Sequence, residues 1–262
     1  MRLTIRHRTI YNYEAPLERG VQLVRLWPGP HAGLSVLLWD VRALGARMGR
    51  SYTDGLSNRC ALADLDPHAT RTEIIVEGEG ETRDTAARTI AAAEPLPPDY
   101  FLRVSPRTEP NEDIIALSTN LAGSPREKAE ALMHAVRDRV SFRVGATDVE
   151  GVAADALRKG EGVCQDHAHL FCSAARAIAI PARYVSGYLF TGDARSPAAH
   201  AWVEAHDGEG WLGLDPANRT QVSESYVRLA IGLDYRDAAP IVGARAGGGA
   251  ESLSVEVNVS VQ

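Results

Sequence analysis

The sequence is short of cysteine, of aromatic residues and of long apolar runs, and each shortage excludes something. Its three cysteines, Cys60, Cys164 and Cys172, are an odd count without the spacing of a disulfide framework. They suit a compartment that keeps thiols reduced. The longest apolar runs, such as LSVLLW, fall far below the roughly 20 residues a membrane helix needs, so no membrane association is expected. The N-terminus, MRLTIRHRTIYNYEAPLERG, carries charges throughout and has no apolar core of an export signal, which makes the cytoplasm the expected location. Basic residues do not cluster and the formal net charge is −6, so no nucleic-acid partner is expected. No acidic loop has calcium-ligand spacing, and no cofactor requirement follows from the sequence.

What is present is an ordinary globular composition. With 45% hydrophobic and 24% charged residues in 262, the chain can bury a sizeable core as one large or two modest domains. The first part is β-rich. RLTIRHRTIYNY alternates at Leu3, Ile5, His7 and Thr9, LSVLLWDVRAL is a second strand, and ATRTEIIVEGEGETR alternates again. In SYTDGLSNRCALADL the Asp54-Gly55 turn signal joins two extended runs into a hairpin. This pattern predicts a β-sandwich-like module over residues 1–95. The proline-dense stretch PLPPDYFLRVSPRTEPNED reads as the connection to a second domain, residues 96–240.

There the period becomes helical. Ser124, Pro125 and Glu127 make an N-cap, a first-turn proline and a capping box for a helix running through Val140. A second helix is expected from Cys164 to Ala179, ended by Pro181. Three strands follow, ARYVSGYLF, AHAWVEAH and GWLGLD, the first two separated by GDARSPA. Residues 241–262 hold the mobile-looking run GARAGGGA and a last alternating strand, ESLSVEVNVSVQ, able to pair with the N-terminal module.

A cysteine in the first turn of a buried helix, straight after Gly160 and Gly162, has a chemical meaning. Backbone N–H groups and the positive helix end favour a thiolate there and can help stabilise an oxyanion. The plain alternative is a small hydrophobe where helix meets core. A thiolate needs a proton shuttle, and the shuttle needs an orienting group. His200 shares a strand face with Trp202 and Glu204, and Asp215 closes the next strand. Taken alone, His200 reads as structural and Asp215 as a turn residue before Pro216. Together, Cys164, His200 and Asp215 make a coherent mechanism.

The blocks GEGVCQDHAHLFCSAARAIAIPARYVSGYL, HAWVEA and WLGLDPAN resemble, in order and spacing, the transglutaminase-like superfamily of papain-fold thiol enzymes. The β-rich N-terminal part resembles the bacterial subgroup that carries an N-terminal β domain. The resemblance implies an α+β fold, with a papain-like core of helices packed on an antiparallel sheet behind a β-sandwich-like domain. It implies Cys164 as nucleophile, His200 as acid/base and Asp215 as orienter. The implied activity is attack on a peptide, isopeptide or carboxamide carbonyl through a thioester acyl-enzyme. A cysteine protease or amidase acting on a peptide or protein is the expectation. An amine-accepting transglutaminase and a non-catalytic peptide-binding scaffold are the alternatives. Ala217 stands where the family commonly has threonine. Trp202, Tyr188 and Asp166 are candidates to contact substrate, each with packing or structural support as its plain alternative. Cys164, His167, His169 and Cys172 diverge at about 100° per residue on a helix, so no metal site is expected. Oligomeric state is left open.

Overall fold

The computed structural model describes residues 1–89, 95–143, 145, 151–192 and 198–261. Seven strands open the chain: β1 (Arg2–Tyr13), β2 (Leu17–Trp27), β3 (Leu34–Leu44), β4 (Ala46–Met48), β5 (Tyr52–Thr53), β6 (Arg59–Leu65) and β7 (Arg71–Thr82). β7 lies between β1 and β3 in one antiparallel sheet, while β6 pairs with β2, β4 and β5 in another. Leu3, Ile5, His7 and Thr9 on β1 are buried, as a period of two demands for a half-buried strand. The turn between β5 and β6 is built by Asp54, whose Oδ1 accepts the backbone N–H groups of Leu56 and Asn58, both at 2.9 Å. β2 has no clean alternation, and its register against β6 shifts between Val24 and Trp27, so nothing local marks it as a strand.

The middle of the chain supplies β8 (Arg88–Thr89), a 3-10 turn (Pro98–Leu102), α1 (Glu112–Ser118), α2 (Pro125–Arg139), β9 (Ser141–Phe142), α3 (Ala153–Lys159), β10 (Glu161–Gly162) and α4 (Cys164–Ala177). The capping box of α2 forms as its residues predict: Ser124 Oγ accepts from the Glu127 N–H and Glu127 Oε2 accepts from the Ser124 N–H. α4 stops at Ala177, two residues short of expectation. Ala179 takes a left-handed φ of 59° and Ile180 N–H turns back to the Ala175 carbonyl at 2.9 Å.

β11 (Ala182–Leu189), β12 (Ala199–His206), β13 (Trp211–Asp215), β14 (Thr220–Gln221) and β15 (Tyr226–Gly232) form an antiparallel sheet ordered β14-β13-β12-β11-β15, with β8 on β13. Of the GDARSPA stretch between β11 and β12, residues 193–197 lie outside the described residues, as does the stretch 90–94 beside the expected boundary at 95. β15 is buried on both faces, so it shows no alternation by which a sequence could reveal it. Ala168, Phe171, Cys172 and Ala175 of α4 share one core with Ala201, Val203 and Ala205 of β12, which is what holds the helix against the sheet.

After α5 (Tyr235–Ala238), the last two strands return to the N-terminal sheets: β16 (Ile241–Gly247) pairs with β2 and β17 (Glu251–Val261) with β1. The glycine run therefore completes β16 and carries the chain across from one N-terminal sheet to the other, with Gly247, Gly248 and Gly249 all at positive φ. A second core joins the two halves of the molecule, since Leu3, Ile5, Val24 and Ile74 pack with Tyr188 of β11 and Val227 and Leu229 of β15. The proline-dense stretch is also packed down. Phe101 is buried against Trp211, and buried Arg176 donates to the Phe101 carbonyl at 3.0 Å and to Thr108 Oγ1 at 2.8 Å.

Candidate active site

Cys164 is the first residue of α4, and the preceding turn holds it there. Asp166, buried at the third helical position, accepts the Val163 N–H on Oδ2 at 2.8 Å, and a Cβ on Gly162 would sit 2.8 Å from that carboxylate. Buried His167 places one ring nitrogen 2.8 Å from the Val163 carbonyl and the other 2.9 Å from that of Val140, tying the helix start to the end of α2. The Cys164 sulfur thus sits, partly exposed, at the positive end of a fourteen-residue helix.

The sheet brings the other two groups together. Val203 faces Leu214 across β12 and β13, which sets Trp202 beside Asp215 and puts His200 two residues along on the same face. His200 Nε2 donates to Asp215 Oδ2 at 2.7 Å, with Asp215 fully buried. Burial alone would lower the His200 pKa, but hydrogen bonds to Asp215 and Cys164 and the negative charge on both raise it to about 10. Burial pushes the Asp215 carboxyl up, and its bonds to His200, Asn218 and Tyr226 more than reverse that, leaving it below its usual value. Burial pushes the Cys60 thiol up to about 12 and that of Cys172 up to about 11.

A cavity of about 240 Å³ opens over this group. Cys164, Gln165, His200 and Gly187 line one side, and Thr9 and Tyr11 of β1 with Leu253 and Val255 of β17 line another. Such an arrangement can hold a sulfur anion beside an imidazolium and admit an extended acyl donor.

Two family models match the sequence. The transglutaminase-like superfamily model matches residues 114–216, and the bacterial transglutaminase-like N-terminal region matches residues 3–81. An uncharacterized protein of Mycobacterium leprae is 31% identical over 99% of this chain and 98% of its own length. The chain belongs to the transglutaminase-like superfamily. An uncharacterized protein of Mycobacterium tuberculosis is 36% identical over 115 residues, 39% of this chain and 37% of that relative. A solved structure described as a "Putative Cysteine Protease from Cytophaga hutchinsonii" superposes with a TM-score of 0.80 at 21% identity, covering 99% of this chain and 90% of that one. At that identity it speaks for the fold: α+β, with a papain-like core behind a β-sandwich.

Within this transglutaminase-like frame, the residues singled out for substrate contact fall elsewhere. Trp202, Tyr188 and Asp166 are each about 1% exposed, and none lines the cavity. Trp202 stacks behind His200 at 6.4 Å between ring centroids, and the Tyr188 hydroxyl lies 2.7 Å from His7 Nδ1 in the joint with the N-terminal sheets. Asp166 supports the helix start. Ala217 accepts from Arg137 Nε on its carbonyl at 3.1 Å, and the side-chain donors to Asp215 are His200, Asn218 and Tyr226. Tyr226 and Asn218, both bonded to Asp215 Oδ2, escape sequence reasoning. Asn218 stands in the quoted WLGLDPAN block, a usable signal. Tyr226 has none, because its strand shows no pattern. Among the described residues no group of three or more His, Cys, Asp or Glu is arranged to hold a metal ion, and no helix is long and apolar enough to cross a membrane.

Proposed function

We propose that the chain is a cysteine peptidase or amidase that cleaves a peptide, isopeptide or carboxamide bond in a peptide or protein. The observation that carries this reading is the buried 2.7 Å bond between His200 and Asp215, made beside a sulfur at the first turn of α4. The Cys164 thiolate attacks the carbonyl carbon, and helix N–H groups stabilise the oxyanion. Protonated His200 gives its proton to the leaving nitrogen as the C–N bond breaks, leaving a thioester on Cys164. Water then attacks the thioester, His200 takes its proton, and the acid leaves with the thiolate–imidazolium pair restored. Asp215 keeps the imidazole oriented and favours its charged form. Three free thiols fit a reducing compartment, which favours the cytoplasm.

The test is to incubate the protein with a peptide library, quench, and seek an acyl adduct on Cys164 by mass spectrometry. Turnover of the adduct in water alone supports hydrolysis. Turnover only after adding a primary amine moves the activity to transglutaminase, and no adduct with any donor moves it to a binding scaffold.

A further inference from the structure

The wall facing Cys164 comes from strands that the chemistry above does not use. Along β1 and β17, Tyr11 pairs with Leu253, Thr9 with Val255, His7 with Val257 and Ile5 with Val259, so these side chains share one face. At the Ile5 end that face is sealed into the core. At the Tyr11 end it opens into the cavity, where Leu253 and Val255 remain 56% and 49% exposed although apolar. The polar groups here satisfy one another. His7 has one ring nitrogen 2.7 Å from the Tyr188 hydroxyl and the other 2.7 Å from Thr9 Oγ1, and burial keeps the ring neutral, with its pKa lowered to about 4. No Lys, Arg, Asp or Glu is among the described residues lining the cavity.

We propose that Leu253 and Val255, paired with Tyr11 and Thr9, are specificity-determining residues that select acyl donors with a neutral, apolar side chain next to the attacked carbonyl. The proposal rests on Cys164 being the nucleophile. Held against Leu253 and Val255, away from the His200 imidazolium, a charged side chain would lose water without gaining a partner, whereas an apolar one covers surface that is otherwise left wet.

Alkylation rates read this without a known substrate. The probes are N-benzyliodoacetamide, iodoacetamide and iodoacetate, each normalised to its rate with glutathione, with Cys164 labelling followed by peptide mapping. In the native protein the normalised benzyl rate should exceed that of iodoacetamide by about tenfold. Leu253→Asp should abolish the benzyl preference, read as the ratio of the benzyl rate to the iodoacetamide rate. Val255→Lys should raise the iodoacetate rate relative to that of iodoacetamide, a gain that a merely loosened fold would not produce. A native benzyl preference no greater than glutathione's, or one unaltered by Leu253→Asp, overturns the proposal while fast Cys164 labelling leaves the peptidase reading standing. If Cys164 labels no faster than Cys60 or Cys172, both fail. If Leu253→Asp changes only the oligomeric mass in solution, the wall belongs to a contact with a second copy and the proposal is overturned.

Discussion

Tyr226 donates its hydroxyl to Asp215 Oδ2 at 2.8 Å, the same oxygen that accepts from His200. Asn218 adds its side-chain amide to that oxygen at 2.7 Å and its backbone N–H to Oδ1 at 3.2 Å. The buried carboxylate is therefore held on both oxygens, and its orientation toward His200 does not depend on His200 alone.

Removing one of those donors should loosen the pair without abolishing it. Tyr226→Phe is expected to lower kcat/KM by roughly 10- to 100-fold, the effect of one charge-assisted hydrogen bond. Asp215→Asn should cost more, because the amide that keeps oxygen toward His200 turns its NH2 onto the Asn218 N–H. Steady-state kinetics on a substrate found by acyl trapping checks both. A Tyr226→Phe loss as large as that of Asp215→Asn would contradict this order.

The proposed nucleophile and acid/base should behave as a unit. Cys164→Ala and His200→Ala should each lower turnover by about 10³-fold or more, and the double variant should be no worse than either. Fluorescence-monitored unfolding should show the Cys164→Ala fold intact, since the side chain is small and partly exposed.

The alkaline limb of activity should report His200. Its folded pKa of about 10 lies above the unfolded value near 6.5, so the proton needed by the leaving group is present at neutral pH and lost as pH rises through about 10. The same proton contributes stability that is fully present below about pH 6.5 and fades through 10. Asp215→Asn removes one cause of the elevation and should move the limb of the kcat/KM profile to lower pH.

Acid should destabilise the fold before its carboxylates do. Burial lowers His7 and His31 to about 4 and His169 to about 3, so each contributes stability present above the unfolded pKa near 6.5 and lost as pH falls through the folded value. Each unit of difference is about 1.4 kcal/mol. Glu204, held near 2 against burial by Arg183 and Arg228, stays ionised across that window. Urea midpoints should drop between pH 6.5 and 4, and His7→Gln should flatten part of the slope.

Gly187 should resist substitution. A Cβ there would lie 2.2 Å from the Val227 carbonyl and 2.5 Å from the Trp202 ring, forcing β11 away from β15 or Trp202 away from His200. Gly187→Ala is expected to lower stability by about 2 kcal/mol or more. Gly55→Ala, whose Cβ meets nothing within 4 Å, is the matched control. Chemical denaturation of both gives the comparison.

The sequence by itself determined the local devices: the alternation of β1, the turn at Asp54, the capping box on Ser124 and Glu127, the strands carrying His200 and Asp215, and a cysteine opening a helix. Each is written in residues a few positions apart, where backbone hydrogen bonding and side-chain periodicity act directly. Tertiary structure alone decided what no short window contains. β2 and β15, without clean alternation, took their places only against partners far along the chain, and with β15 came Tyr226. Phe101 and Arg176 drew a proline-dense connection into the core. The return of β17 onto β1 made Leu253 and Val255, near the end of the chain, neighbours of Thr9 and Tyr11 near its start. Long-range pairing follows from which apolar faces can cover one another, and that is settled only when every strand competes for the same core.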